Sequence, residues 1–156
     1  MRLTLYTDYS LRVLLFLGAK EPEALSTIKE ISDAYGISKN HLMKVTHELG
    51  KMGYIETIRG RGGGIRLAKR PEAIGIGEVV RQTEEDFYLV DCFNPESVGC
   101  VISPVCNLKG ALNKALHAYI AVLDEYKLSD FLHNKEDIAA LLFNHNSKRL
   151  GQNPSQ

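Results

Sequence analysis

Four things are scarce or missing in this chain, and each absence removes a class of protein. The formal net charge is zero, with 19 basic residues against 19 acidic ones, which argues against a generic polyanion binder. No stretch of the sequence approaches the roughly twenty consecutive apolar residues that a membrane span needs. No nucleophile–base set, phosphate loop or metal-hydrolase signature is present, so an enzyme is the least expected class. Cysteine occurs only three times, an odd number that cannot make the disulfide framework of a short secreted chain and that suits thiols kept reduced in a cytoplasm. Arg2 followed by Leu11 to Ala19 has the outline of a signal peptide. However, Asp8 and Arg12 interrupt it, no small-residue cleavage site follows, and Tyr9, Val13, Phe16 and Leu17 fall at helical spacing. The expectation is a soluble, cytoplasmic protein.

What is present is unevenly distributed. At 156 residues and 44% hydrophobic content the chain can bury one ordinary core with an extension. Residues 1–70 carry twelve Lys and Arg against seven Asp and Glu, a surplus of five positive charges, and residues 71–156 carry the reverse. The basic half contains a helix-turn-helix pattern. A first helix is predicted from about Tyr9 to Ala19 with Thr7 or Asp8 as its cap, and Pro22 marks the break after it. Thr27-Ile28-Lys29-Glu30 has capping-box form, Ile28, Ile31 and Tyr35 repeat on one face, and Gly36 supplies a left-handed stop. Two residues later Ser38 caps a helix striped by Leu42, Val45 and Leu49, and helices joined this tightly cross steeply.

The other face of that helix holds Lys39, Asn40, His41, Lys44, His47 and Lys51. A donor-rich amino-terminal end is what enters a major groove: Lys39 and Lys44 would hold phosphates, while Ser38, Asn40 and His41 could reach base edges. Thr27, at the start of the preceding helix, joins this candidate DNA-binding set. An ordinary solvated face is the competing reading, and the segment after the helix weighs against it. Tyr54 to Ile58 and Ile65 to Leu67 read as strands around Arg59-Gly60-Arg61-Gly62-Gly63-Gly64, a hairpin tip presenting Arg59 and Arg61 to phosphate or to a narrow minor groove. A phosphate-cradling loop is excluded because no Gly-Lys-Ser/Thr follows, and an RGG-type RNA segment because the stretch is single and short. The predicted fold is mainly α with a small β-hairpin wing: a winged helix-turn-helix plus a long dimerisation helix.

After Pro71 a short helix is expected over Ile76 to Gln82, then an extended stretch from Phe87 to Val90, then Cys92, Cys100 and Cys106 on a loop with Pro95, Gly99 and Pro104. The cysteine spacings lack the C-x2-C knuckle of most structural zinc sites, and clustered thiolates suit iron–sulfur chemistry; zinc and three unligated cysteines stay open. The fourth ligand is also open, since His117 follows Cys106 by eleven residues along a helix and reaches back poorly. Between Cys106 and Tyr126 an apolar stripe running from Leu108 through Leu112, Leu116, Tyr119 and Leu123 is too long for one winged domain to cover. Pairing with a second copy across a two-fold axis buries it and suits palindromic half-sites. Leu128 to Phe143 is expected to add one or two helical turns. The division predicted is 1–83 DNA-binding domain, 84–106 cysteine loop, 107–143 dimerisation helix and helical segment, and 144–156 disordered tail.

Met1 to Arg12, Ile37 to Val45, the wing Arg59 to Gly64, Ile76 to Arg81 and the three cysteines together resemble the family of iron–sulfur winged-helix regulators that contains IscR and nitric-oxide-sensing repressors. The resemblance covers roughly residues 1–143. It implies a homodimeric repressor of NO-detoxification genes, bound to palindromic operator DNA, with nitric oxide as its signal. It also implies one cluster per subunit, 4Fe-4S in preference to 2Fe-2S, held by Cys92, Cys100, Cys106 and Asp8 of the partner subunit, with Arg12 close by. A hard carboxylate among soft thiolates would leave one iron exchangeable. IscR-like proteins place a histidine soon after the last cysteine, whereas Asn107 follows Cys106 here. An IscR-like regulator of cluster status, and a winged-helix repressor controlled by redox thiols or a protein partner without a cluster, are the alternatives.

Overall fold

The computed structural model describes residues 2–144. Helix α1 (Leu5–Gly18) begins four residues earlier than its periodicity predicts, because Thr4 and not Thr7 or Asp8 is the cap: the Thr4 hydroxyl accepts from the Thr7 backbone N–H at 3.3 Å. Thr7 itself is fully buried inside the helix. What fixes Thr4 is a residue 80 positions away, Glu84, which no local pattern announces.

Helix α2 (Ile28–Tyr35) carries the capping box in full, with Thr27 and Glu30 satisfying each other's backbone N–H groups, and ends on Gly36 at φ 69°. Helix α3 (Lys39–Lys51) starts on Ser38, whose hydroxyl accepts from His41 N. Strands β1 (Ile55–Ile58) and β2 (Gly64–Leu67) pair antiparallel, Ile55 opposite Leu67 and Ile58 opposite Gly64. A bridge between Ser26 and Ile65 fastens the hairpin to the segment before α2.

The core lies where these elements meet. Val13, Leu14 and Phe16 of α1, Ile31 of α2, Leu42, Val45 and Leu49 of α3, and Tyr54, Ile55 and Ile65 of the wing root are at most 5% exposed. Each such aliphatic side chain contributes roughly 1.5–3 kcal/mol by leaving water. Helix α4 (Ile76–Thr83) adds Val79 and Val80 to the same cluster.

Helix α4 is clamped to the carboxy-terminal end of α5 (Asn107–Asp124). A Cβ on Gly77 would stand 2.0 Å from Asp124 Oδ1 and 3.0 Å from Asp124 N, so a larger residue would push the Asp124 carboxylate out of its present place. Arg81 forks onto the Asp124 carboxylate, Nη1 to Oδ1 at 2.6 Å. This pair lowers the Asp124 pKa and raises that of Arg81 through their hydrogen bonds. Ile76 N donates to Tyr126 O and Leu128 N to Ile74 O, closing the joint.

After a 3-10 turn at Leu128–Phe131 comes α6 (Lys135–Asn144), more helix than the one or two turns expected. It is stabilised from outside itself: Phe143 stands edge-on to Phe16 at 5.1 Å, and Leu132, Leu142 and Phe143 pack on the core. The Lys20 ammonium lies 5.2 Å from both the Phe16 and Phe143 ring centres and pairs with Glu30. Asn144, assigned to the tail by composition, ends this helix; positions 145–156, expected to be a disordered tail, lie outside the described residues. Among the described residues no helix is long and apolar enough to cross a membrane.

Candidate nucleic-acid interface and cysteine centre

Ser38, Lys39, Asn40, His41, Lys44, His47 and Lys51 all lie on the exposed side of α3, opposite the buried Leu42, Val45 and Leu49. Arg59 and Arg61 are exposed at the wing tip. Their loop depends on glycine twice over. Gly60 and Gly62 take φ 106° and 74°, as a tight hairpin requires. Gly63 and Gly64 leave no room for a Cβ, which would stand 2.2 Å from Ile58 O and 2.7 Å from Ser26 O respectively. Thr27 is exposed, with its backbone N–H and its hydroxyl both committed to Glu30.

Among the described residues Lys39 and Lys44 at the amino-terminal half of α3 and Arg59 and Arg61 at the wing tip join no ion pair, while Lys51 and His47 at the far end of α3 both approach Glu48. Cations left without internal partners on one face are available to phosphates. Met43, 56% exposed on α3 beside this face, offers an apolar surface that the polar pattern did not single out.

Two aromatic contacts tie α1 to this reading head. The Tyr9 ring lies 5.9 Å from that of His41, and the Arg12 guanidinium lies 5.8 Å over Tyr35 at the end of α2. Burial pushes the Tyr35 hydroxyl up to about 12, against the opposing influence of Arg12. Arg12 in turn grips Asp8 twice, Nε to Oδ1 at 3.0 Å and Nη2 to Oδ2 at 2.9 Å. The hydrogen bond to Asp8 raises the Arg12 pKa.

The three cysteines are free thiols: Cys92 and Cys106 are half-buried and Cys100 is exposed. Cys106 caps α5, its sulfur accepting from Lys109 N at 3.4 Å. Cys92 and Cys106 line one shallow groove of about 560 Å³ with Phe87, Phe93, Lys109 and Asn113. The Lys109 ammonium and the amino end of α5 give this groove the positive surroundings that anionic sulfur ligands require. Among the described residues no three His, Cys, Asp or Glu side chains stand together as a metal-binding group. The structure therefore brings two cysteines to one groove and leaves Cys100 apart on the loop. It holds Asp8 on α1, paired with Arg12, and leaves His117 exposed on α5.

Thiol donors of this kind fit iron and sulfide chemically, and the loop's own bonding fits a segment that closes around a group. Among the described residues every hydrogen bond made by residues 91–106 reaches at most six positions along the chain. Gly99 sits at φ 80° beside Cys100, and Val98, Val101, Ile102 and Val105 are exposed.

The apolar stripe of α5 is divided. Leu112, Leu116, Tyr119, Ile120 and Leu123 are half-buried against the chain itself, while Leu108, Val122 and Tyr126 remain exposed; none of the eighteen residues is fully buried.

Residues 3–134 match the family model Rrf2, described as iron-dependent transcriptional regulator. The chain belongs to the Rrf2 family. Among its relatives, the HTH-type transcriptional regulator NsrR of Bacillus subtilis (strain 168) is 65% identical over 142 residues, covering 91% of this chain and 97% of that protein. The protein of the same name from Bacillus licheniformis is 63% identical over 142 residues, with 91% and 99% covered. Among solved structures, T. potens IscR superposes with TM-score 0.70 at 23% identity over 88% of this chain and 90% of that one. CymR, the global cysteine regulator of B. subtilis, superposes with TM-score 0.69 at 24% identity, with 85% and 96% covered. These two likenesses establish the fold, and the NsrR relatives agree with the family resemblance carried by the motifs. The chain is a transcriptional regulator with a winged helix-turn-helix fold, not an enzyme.

Sequence reasoning missed Tyr9, Tyr35 and Glu84, the residues that join α1 to its neighbours. Tyr9 and Tyr35 register only as members of helical stripes, and Glu84 only as one of several acids after α4. Their partners lie 32, 23 and 80 positions away.

Proposed function

We propose that this chain is a cytoplasmic, homodimeric, iron–sulfur-dependent repressor that senses nitric oxide and silences NO-detoxification genes by binding a palindromic operator. The observation that carries the reading is the pairing, in one chain, of a reading head on which Lys39, Lys44, Arg59 and Arg61 have no acidic partner and a segment of three free cysteines hydrogen-bonded only to near neighbours in the chain. The 65% identity to a regulator named NsrR adds to it. In this reading residues 1–83 are the DNA-binding domain, 84–106 the cluster-binding loop, and the segment from 107 to the end of α6 at Asn144 the dimerisation and helical part.

Ser38, Asn40 and His41 read base edges, Lys39 and Lys44 hold phosphates, Thr27 belongs to the same DNA-facing set at the start of α2, and Arg59 and Arg61 reach phosphate or minor groove. Cys92, Cys100 and Cys106 hold the cluster, 4Fe-4S in preference to 2Fe-2S, with Asp8 of the partner subunit as the weaker oxygen ligand. When bound, the cluster supplies soft iron that is open to a diatomic gas. Asp8 is shared between that role and its own Arg12, so releasing or recruiting it alters the first turn of α1. Tyr9 and Arg12 pass the change to His41 and Tyr35. Exposed Leu108 and Val122 of α5, with Tyr126 just beyond its end, supply the apolar face for a second copy.

Anaerobic purification followed by iron and sulfide assay tests the reading. A brown protein containing both elements, and a colourless Cys100→Ala variant, are expected; an iron-free wild type that binds operator equally well refutes it. That second outcome belongs to a thiol-controlled regulator, in which the three free cysteines act as redox thiols.

A further inference from the structure

The cysteine segment and the first turn of α1 meet at one carboxylate. Glu84 is the first residue after α4, and its Oε1 accepts from Thr4 N at 2.8 Å and from the Thr4 hydroxyl at 3.0 Å. The same hydroxyl oxygen accepts from Thr7 N, so its proton goes to Glu84 and its lone pair to the helix. Thr4 is thus a cap whose orientation is set from outside its own helix. A carboxylate at a helix amino terminus is favoured by the exposed N–H groups and the helix dipole, and bonds to an ionised acceptor are the stronger kind.

Both sides of this contact are mechanically defined. On one side α4 is locked to α5 by the close approach at Gly77 and the Arg81–Asp124 fork, so Glu84 leaves a fixed scaffold and leads directly into the cysteine segment. On the other side α1 carries Asp8 in its first turn, Tyr9 against His41 and Arg12 over Tyr35. Arg2, Leu3 and Thr4 share a groove with Glu84, Phe87 and Leu116, so the chain ahead of α1 lies on the start of the cysteine segment.

We propose that Glu84 is a positioning residue: its carboxylate latches the cysteine segment to the cap of α1 and thereby sets the recognition helix. The regulatory half of this statement rests on the function proposed above; the latch itself does not. A displacement of the cysteine segment that turns the Glu84 side chain off Thr4, its backbone still held as the cap of α4, removes the acceptor, loosens the first turn of α1, and releases Tyr9 from His41.

The test uses the full-length chain with and without its cluster, in wild type, Glu84→Ala and Glu84→Gln, and measures amide hydrogen exchange and operator affinity together. In Glu84→Ala, exchange at Thr7, Asp8 and Tyr9 rises about five-fold or more, the scale of a missing helix cap. Operator affinity falls while the visible spectrum of the loaded protein keeps its shape. Glu84→Gln restores both readouts in large part, because its amide oxygen accepts the same two bonds. Unchanged exchange at Thr7 to Tyr9 in Glu84→Ala overturns the latch. Raised exchange with wild-type operator affinity overturns its role in positioning α3, leaving a merely structural cap. A wild type whose operator binding ignores nitric oxide overturns the sensing function and with it the regulatory half, while the exchange result still judges the latch.

Discussion

The winged half and the cysteine half of this molecule are built on opposite principles. From α1 to α4 nearly every element contributes a side chain that is at most 5% exposed, and its caps, hairpin and bridges are fixed by partners. From Asp91 to Cys106 the described backbone bonds only to near neighbours, and α5 has no fully buried residue. The first region carries its shape in its own core. The second leaves apolar surface and thiols uncovered, as expected of a segment whose final shape is set by something bound to it or by a second copy.

Substitutions in the two regions should act on different properties of the protein. The largest effect is expected from Cys100→Ala: with no cluster retained, the protein loses the preference for operator over unrelated DNA, worth about 4–10 kcal/mol in such regulators. Thermal stability of the cluster-free chain stays within about 0.5 kcal/mol of wild type, as for other exposed positions. Competition binding and a melting curve measure the two, and a large stability loss would contradict the division. Leu49→Ala, at a fully buried position, should cost about 2–5 kcal/mol of unfolding free energy by denaturant titration; a cost under about 1 kcal/mol would mean that the core is not where the winged half is held.

Replacing both Arg59 and Arg61 by Ala should weaken operator binding and reduce the slope of log affinity against log salt by about 1.8, or roughly 0.9 for each phosphate no longer neutralised. An unchanged slope removes the wing from the interface. Val101→Ser, at a residue 97% exposed, is expected to leave the stability of the cluster-free protein within about 0.5 kcal/mol of wild type. The same change should cost more in the cluster-loaded protein, where the proposed function covers the patch, and equal effects in both states would contradict that.

Much of the winged half was legible in the sequence because its signals are local. The Thr27–Glu30 box, the Gly36 stop, the Ser38 cap and the Gly-rich wing each act within a few residues, and all four stand as expected. Where local chemistry was ambiguous, tertiary contacts decided. Thr7 and Asp8 both look like caps for α1, but Thr4 is chosen because Glu84 orients its hydroxyl. Helix α6 outgrew its weak pattern because Phe143 and Leu142 pack on α1 and the core. The cysteine region was legible as chemistry and not as shape, since three thiols name the ligand type but not which elements bring them together.

The most direct test of the central claim, that thiolate-held iron couples the cysteine segment to the reading head, is operator affinity of anaerobically prepared, cluster-loaded full-length protein before and after nitric oxide. The account predicts that specific binding falls by about 10³-fold or more, toward the level of unrelated DNA. Affinity that stays unchanged by the gas, with iron and sulfide present at the start, would contradict it.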